Sequence, residues 1–303
     1  MKRIHILTIV CAVIFTAFYQ NGTAQSAATY NMEVKDFRNN LILLGKSTRE
    51  RLEQEPFGSW FKTNYKEYTI DTATANQLKP YLQNKRFLVF MGTWCGDSRR
   101  EVPRIYKLLD YCGVSPSNIE LVNVNNHDTA YKQSPTHEEK GLNIHRVPDL
   151  LIFENGKEIG RVVEFPVISW EKDLLQIFNN HSYIPNYKAV PFMDSLFRKH
   201  ALRKLKKSIQ RVAGQVKPLV QNRYELFSYA KVKMALQDTG SAIYLYQLNT
   251  LLFPGDPEVW NSLGAAYEQA GETGKAIEQY KKALQVQPGN EMATGRLQQL
   301  SGQ

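Results

Sequence analysis

The sequence predicts a two-part protein, a mixed α/β domain followed by an all-α repeat unit. From residue 85 to residue 180, short apolar runs alternate with helical patterns in the order β-α-β-α-β-β-α. From residue 224, a pattern with a spacing of 34 residues recurs. An apolar helical stripe from Phe197 to Leu219 lies between the two parts. The 303 residues, 43% hydrophobic and 22% charged, fit one or two globular domains.

The amino terminus has the pattern of a secretory signal over residues 1–24. Two basic residues precede an apolar run from Ile4 to Phe18, and Gly22-Thr23-Ala24 supplies small residues for cleavage before Gln25. A membrane anchor is the alternative, but the run is shorter than the ~20 residues of a spanning helix. We therefore expect an exported protein that acts in the periplasm.

The segment Trp94-Cys95-Gly96-Asp97-Ser98 carries the strongest chemical signal. It follows the predicted strand Phe87–Met91 and begins a helical segment. A cysteine at a strand-to-helix turn lies where backbone N–H groups and the helix dipole stabilise an anion, so the pattern favours a nucleophilic thiolate. A redox dithiol would have its second sulfur three positions later, where this chain has Ser98. The predicted site has an attacking sulfur and no resolving one.

Cys112 is the other cysteine that follows the predicted signal. A helix between the two cysteines would separate them by ~25 Å at 1.5 Å per residue. A disulfide needs Cα atoms ~6 Å apart. We therefore expect Cys112 to be a packed or partly exposed free thiol and not the partner of Cys95.

Residues 85–182 resemble a thioredoxin-fold domain, a central mixed sheet flanked by helices. The matching pieces are Trp94-Cys95-Gly96, Pro103, Val147-Pro148 and the Asn155-Gly156 hairpin turn. The resemblance implies a cis Pro148 that faces Cys95 and a backbone at Val147 that pairs with a substrate chain as an added strand. It also implies that Trp94 both packs beside the turn and contacts the substrate.

Three positions depart from that family. Ser98 replaces the resolving cysteine, Val89 stands where the family has a buried acid, and Asp149 stands where a threonine is usual. The acid accepts the proton of the second thiol, so its loss agrees with the loss of that thiol. Ser98 remains a candidate catalytic residue because its hydroxyl, one turn along the helix, can donate a hydrogen bond to sulfur. Capping of the helix with Glu101 is the alternative role.

The surroundings of the predicted sulfur are mixed in charge. Arg99 and Arg100 favour the thiolate, and Asp97 opposes it. We expect no cofactor and no metal, because His127, His137 and His145 lack the spacing of a ligand set. We expect all three histidines on the polar surface of the loop before the third strand.

These residues predict thiol–disulfide chemistry through mixed disulfides. We expect a monothiol oxidoreductase or isomerase-like protein that acts through Cys95 on protein thiols. Release of a client then needs the client's own second thiol or an external reducing partner. The alternative is a non-catalytic interaction protein, in which the α/β domain is a docking surface and the repeats recruit partners.

The carboxy-terminal residues 223–303 resemble a tetratricopeptide unit. Asp256–Gly289 has the small and aromatic residues of the repeat, at Trp260, Gly264, Tyr267, Ala276, Tyr280 and Pro288. A shift of 34 residues places Tyr224–Gly255 on the same pattern as a degenerate first repeat. Glu291–Leu300 is then a capping helix. The resemblance implies a concave groove that binds a peptide or protein ligand.

The remaining boundaries follow from composition. We expect residues 25–84 to be a helical extension and residues 183–222 to be a linker with a basic amphipathic helix. The polar face of that helix has no acid and carries Arg198, Lys199, Arg203, Lys204, Lys206, Lys207, Arg211 and Lys217. We expect this face to be solvated; contact with an anionic membrane surface or an acidic partner is the alternative. We expect no nucleic-acid partner for an exported chain.

Overall fold

A computed structural model describes residues 30–180 and 183–302 of the chain, so the predicted signal lies outside the described residues. Its α/β part contains a six-stranded sheet in the order β1-β2-β4-β3-β5-β6. The strands are β1 (Met32–Lys35), β2 (Leu41–Ser47), β3 (Arg86–Met91), β4 (Ile119–Asn123), β5 (Asp149–Glu154) and β6 (Lys157–Val163). β3 and β4 are parallel, and the other neighbouring strands are antiparallel. The sheet is therefore mixed, as predicted.

Five helices belong to this part: α1 (Arg49–Leu52), α2 (Gly58–Glu67), α3 (Thr72–Leu82), α4 (Gly96–Tyr111) and α5 (Trp170–Asn180). The strands alternate their side chains between two cores. In β3, Phe87 and Val89 join the large core under the helices, whereas Phe90 joins a smaller core on the opposite face. Ile144, from the loop between β4 and β5, packs in that smaller core. The loop thus covers the sheet beside the first turn of α4.

The amino-terminal segment is not wholly helical, which corrects the prediction for residues 25–84. A hairpin of β1 and β2 precedes the three helices, and β2 pairs with β4 through Gly45 and Asn123. The apolar run Leu41–Leu44 is typical of a buried strand as much as of a helix. Its partner lies far along the chain, so local pattern alone did not decide between them.

The carboxy-terminal part is helical. Its helices are α6 (Ala189–Lys199), α7 (Leu202–Lys207), α8 (Ile209–Val216), α9 (Arg223–Ala235), α10 (Thr239–Leu252), α11 (Pro257–Gln269), α12 (Thr273–Val286) and α13 (Glu291–Ser301). Side chains of Asn222, Asp238, Asp256 and Asn290 cap the helices that follow them. None of the helices in the described part of the chain is both long and apolar enough to span a bilayer.

The predicted basic helix is three helices, α6 to α8, rather than one. Ser208 separates α7 from α8, and its hydroxyl lies 3.3 Å from both the Lys204 and Leu205 carbonyl oxygens. Such local bonds compete with the helical pattern. The apolar stripe is buried as its spacing predicts, because Leu205 and Val212 pack in the same core as the repeats. The segment is therefore part of the helical unit and not a linker.

The two parts of the molecule contact each other directly. Arg146, in the loop before β5, donates a hydrogen bond from Nη2 to the Tyr224 carbonyl at 2.9 Å. Lys231 of α9 pairs with Asp128 of the same loop at 2.7 Å. Val163, at the end of β6, belongs to the buried cluster of the helical unit. The loop between β4 and β5 thus lies between the first turn of α4 and α9.

Candidate functional site

The sulfur of Cys95 lies at the amino end of α4. Cys95 is the N-cap residue, with φ −91° and ψ 126°, and is partly exposed. Its S–H lies in position to donate to the Val147 carbonyl oxygen, 3.3 Å from Sγ. The Val147–Pro148 peptide bond is cis. Three residues predicted from sequence, Cys95, Val147 and Pro148, therefore meet in space across more than fifty positions of the chain.

Trp94 fixes the turn beside the sulfur. Its indole Nε1 donates to the Val124 carbonyl at 2.8 Å, at the end of the neighbouring strand β4. A Cβ atom at Gly92 would lie 2.4 Å from the indole ring, so only glycine leaves room for the ring there. Trp94 packs as predicted, while its predicted contact with a substrate remains a prediction.

Ser98 is placed differently from both predicted roles. It is fully buried, and its Oγ accepts a hydrogen bond from the Gly92 N–H at 3.2 Å. Among the described residues, Ser98 Oγ makes no hydrogen bond to Cys95 Sγ. Nor does it form a capping box, since Glu101 instead accepts from Trp170 Nε1 at 2.8 Å. Ser98 holds the turn against the preceding strand.

The arginines of α4 are also engaged elsewhere. Arg99 Nε donates to the Thr93 carbonyl at 2.6 Å and closes the turn from outside. Arg100 pairs with Asp97 and with Glu101, both at 2.6 Å. Asp97, predicted to oppose the thiolate, is thus neutralised by a neighbour in the same helix.

Lys132 is a residue near the site that the sequence analysis missed. It lies in the loop between β4 and β5 and is only 4% exposed. Its Nζ is 4.4 Å from the centroid of the Trp94 ring, a cation–π contact. Burial lowers the pKa of Lys132 to about 8, and the charge of Cys95 acts in the opposite direction. No motif marked Lys132, because its place depends on how the loop folds back over the sheet.

Cys112 is buried and free, which confirms the prediction of a packed free thiol. Its S–H points to the Ala75 carbonyl, with 3.6 Å between sulfur and oxygen. Burial raises the pKa of Cys112 to about 11, so the sulfur is protonated at neutral pH. Cys112 therefore offers neither access nor a nucleophile to Cys95.

His145 is buried, contrary to the expectation of a surface histidine. Its ring packs edge-on against Tyr187 and Tyr229, with centroids 5.9 and 6.2 Å away. Burial lowers the pKa of His145 to about 3, so the ring is neutral. His127 and His137 are exposed as expected. Within residues 30–180 and 183–302, no group of three metal-ligating side chains was found.

Two other positions singled out by sequence lie in the sheet. Val89 is fully buried in the large core, where it contributes packing only. Asp149 is fully buried beside the cis bond and accepts a hydrogen bond from Arg161 Nη1 at 3.3 Å. Burial raises the pKa of Asp149 to about 7 in spite of Arg161.

The helical unit offers a second candidate surface. A cleft of about 360 Å³ lies along the first helices of successive pairs, α9 and α11, with α13 at one end. Its lining includes Phe227, Lys231, Met234, Ser262, Ala265 and Met292. Asp128, from the loop of the α/β part, also borders this cleft. The loop between β4 and β5 therefore borders the cleft through Asp128 and contacts Trp94 through Lys132.

Comparison with known proteins identifies one repeat within the helical unit. The tetratricopeptide repeat family model matches residues 257–290, which hold α11 and α12. A similar solved structure is the first TPR of Spaghetti (RPAP3) bound to the HSP90 peptide SRMEEVD. It has 18% sequence identity and a TM-score of 0.27, over 40% of this chain and 96% of that chain. No curated protein matches the chain significantly.

These findings define the class of molecule. It is a mixed α/β protein whose carboxy-terminal helical unit contains a tetratricopeptide repeat at residues 257–290. The repeat predicted at Asp256–Gly289 is confirmed. The degenerate repeat at Tyr224–Gly255 stays a prediction; its residues form the helix pair α9 and α10.

Proposed function

We propose that this protein is an interaction protein that captures clients covalently through Cys95. The tetratricopeptide unit recruits the client, and an α/β domain of the thioredoxin class forms the mixed disulfide. The single observation that carries the proposal is the 3.3 Å contact between Cys95 Sγ and the carbonyl of Val147, the residue before a cis proline. The helix-start position of that sulfur is the arrangement that activates a thiol.

The strand order supports the choice of class. Strand β3, helix α4 and strand β4 form a parallel unit, and β5 and β6 add to β3 as an antiparallel pair before α5. Cys95 lies in the turn between β3 and α4, and Pro148 directly precedes β5, so two adjacent strands bring them together. The hairpin of β1 and β2 extends the other edge of this sheet.

The proposed reaction is a single exchange. The Cys95 thiolate attacks one sulfur of a client disulfide, an Sγ–S bond forms, and the client's S–S bond breaks. The second client sulfur leaves with the electron pair as a thiolate and takes a proton from water. Ser98 cannot reverse this step, because it is a buried hydroxyl, and Cys112 is buried and protonated. Release therefore requires the client's own thiol or an external reducing thiol.

Export to the periplasm belongs to the same proposal. The signal-like residues 1–24 motivate it, and disulfide clients occur in such an oxidising compartment. Contact of the basic face of α6 to α8 with an anionic membrane surface in that compartment is the alternative to a solvated face. The experiment for export is fractionation of expressing cells and amino-terminal sequencing of the protein. An intact amino terminus in the cytoplasmic fraction would contradict it.

The test of the main proposal is capture. The wild-type protein and Cys112→Ala should form a disulfide-linked adduct with a peptide disulfide, visible on a non-reducing gel and lost on reduction. Cys95→Ala should form none. A Cys95→Ala adduct as abundant as that of wild type, or no adduct with any variant, would contradict the proposal.

A second candidate function has its own support. The family model that matches this chain is that of the tetratricopeptide repeat. The resolving cysteine and the buried acid of the thioredoxin family are replaced here by Ser98 and Val89. In that case the protein only docks partners and has no thiol chemistry. Recovery of the same partners by wild type and Cys95→Ala, with and without reductant, would favour docking alone.

A further inference from the structure

This inference rests on the proposed function and concerns the environment of the same sulfur. Lys132 is a buried cation at the face of Trp94, the residue that precedes Cys95. Its Nζ lies 4.4 Å from that ring and 5.2 Å from the ring of Tyr131. The lysine comes from the loop between β4 and β5, not from the helix that carries the sulfur.

The lysine lacks an acidic partner. Lys132 Nζ forms no ion pair with a carboxylate of the described residues. Glu164, whose charge also acts on Lys132, is paired with Arg146 at 3.2 Å. Asp128, in the same loop, is paired with Lys231. The nearby acids are thus committed to other cations.

A buried ammonium group without an anion is costly, and proteins compensate such charges with a partner. Aromatic faces supply part of the compensation here. The remaining partner for the Lys132 ammonium group is an anion that forms only when the reactive thiol ionises. The Cys95 sulfur becomes that anion when it ionises, and its charge acts on Lys132. The ring that Lys132 contacts belongs to Trp94, the residue directly before Cys95.

We propose that Lys132 is a positioning residue for the thiol chemistry, the counter-cation of the Cys95 thiolate, held against Trp94 by the loop between β4 and β5. Arg99 and Arg100, which the sequence suggested for this task, are bound to Thr93 and to acidic neighbours instead. The cation that stabilises the sulfur therefore comes from outside the helix.

Other charged and titratable groups face this site. Arg146, Lys231 and Glu164 act on Lys132 from the loop, from α9 and from the end of β6. Tyr131 is half-buried next to it, and burial raises the pKa of Tyr131, so its hydroxyl stays neutral near pH 7. The matched comparison with Lys132→Met keeps all of these groups in place, so a difference between the two reactivity profiles reports on Lys132.

The experiment follows alkylation of Cys95 by iodoacetamide as a function of pH, with the Cys95 peptide quantified by mass spectrometry. Lys132→Met keeps the length of the side chain and removes its charge. We expect its rate near neutral pH to fall about tenfold and the midpoint of its profile to move up by about one pH unit. Lys132→Arg should restore most of the rate. Lys140→Met, an exposed position of the same loop, is the matched control and should react as wild type does.

A folding defect is separated from a charge effect at high pH. Where the sulfur is fully ionised in both proteins, Lys132→Met and wild type should react at the same rate. A rate that stays low there, or an equal fall in Lys140→Met, overturns the role of Lys132.

The two proposals fail differently. A wild-type Cys95 that reacts no faster near neutral pH than a simple model thiol ends the proposed function. A fast wild-type Cys95 with an equally fast Lys132→Met leaves the function standing and ends this inference.

Discussion

The turn that carries Cys95 is fixed by contacts that leave the sulfur itself nearly free. Arg99 closes the turn onto Thr93, Ser98 receives the Gly92 N–H, and Trp94 is bonded to β4. The sulfur contacts one carbonyl oxygen and remains partly exposed. A preorganised nucleophile of this kind loses little freedom when a client binds.

Replacing Ser98 by cysteine should convert capture into turnover. Because position 98 is one turn along α4 and sulfur differs modestly in size from oxygen, the new thiol lies within reach of Cys95. We expect a mixed disulfide with a test peptide to be released at least about tenfold faster, since the attack becomes intramolecular. Adduct decay on a non-reducing gel measures this. Ser117→Cys, at an exposed position, is the control; equal decay in both variants would contradict the prediction.

His145 should make the protein sensitive to acid. Its pKa is lowered to about 3, so the folded state binds fewer protons than the unfolded state, whose histidine has a pKa of 6.5. The stabilisation is complete above pH 6.5 and is lost as the pH falls below it. Between about pH 7.5 and about pH 5, wild type should lose about 2 kcal/mol more of its free energy of unfolding than His145→Phe.

Urea unfolding at the two pH values measures that difference. Asp149 has the opposite dependence, because its raised pKa favours the folded state at lower pH, but it is common to both proteins and cancels. Identical pH dependence of wild type and His145→Phe would show that burial does not lower the pKa of His145 in the folded state.

At the scale of elements, the repeat is held by close approach of its two helices. A Cβ atom at Gly264 of α11 would lie 2.8 Å from the ring of Tyr280 in α12. Tyr280 is itself buried and donates from its hydroxyl to Glu268 of α11 at 2.5 Å. The buried and hydrogen-bonded Tyr280 ring therefore cannot move aside to make room for a Cβ atom at position 264.

Gly264→Ala should destabilise the helical unit by about 1–3 kcal/mol, because it overpacks this contact. Gly295→Ala is the matched control, since a Cβ there meets no atom within 4 Å. In α13 the change should be neutral or stabilise by up to about 1 kcal/mol, as alanine prefers the helix. Urea unfolding followed by circular dichroism measures both. Equal effects of the two changes would contradict the packing argument.

Sequence patterns predicted the elements that depend on local signals. The short apolar run before the Asn155-Gly156 turn located β5, the turn itself located β6, and the spacing of small and aromatic residues located α11 and α12. The remaining features depend on contacts between residues far apart in the sequence, which local patterns do not contain. The run Leu41–Leu44 became a strand through β4, and Lys132 joined the site through a loop without a motif.

At the scale of the molecule, residues 187–216 join the repeats to a common core. Tyr187, Val190, Leu205 and Val216 lie in the same buried cluster as the helices of the repeats. Glu225 of α9 accepts the Ala189 N–H at 2.7 Å, so the segment is also bonded to the unit that follows it. Two repeat-like helix pairs are few for an independent solenoid, and this segment supplies the missing apolar contacts.

Leu205→Ala should therefore destabilise the helical unit by about 2–5 kcal/mol, the cost of a core cavity. Lys204→Ala, the exposed neighbour, should change the free energy of unfolding by less than about 0.5 kcal/mol. Thermal and urea unfolding compare the two. If Leu205→Ala proved as mild as Lys204→Ala, the segment would be a linker after all.

The bonds of Arg146 and Lys231 across the junction have a consequence for which clients fit. Val163 of the α/β part packs in the buried cluster of the helical unit, so the cleft on α9 and α11 and the sulfur of Cys95 lie on parts that pack against each other. Under the proposed function, a client must carry its disulfide at a matching interval from the segment that the helices grip. The protein would then select clients by the distance between their disulfide and the segment bound in the cleft, as well as by their chemistry.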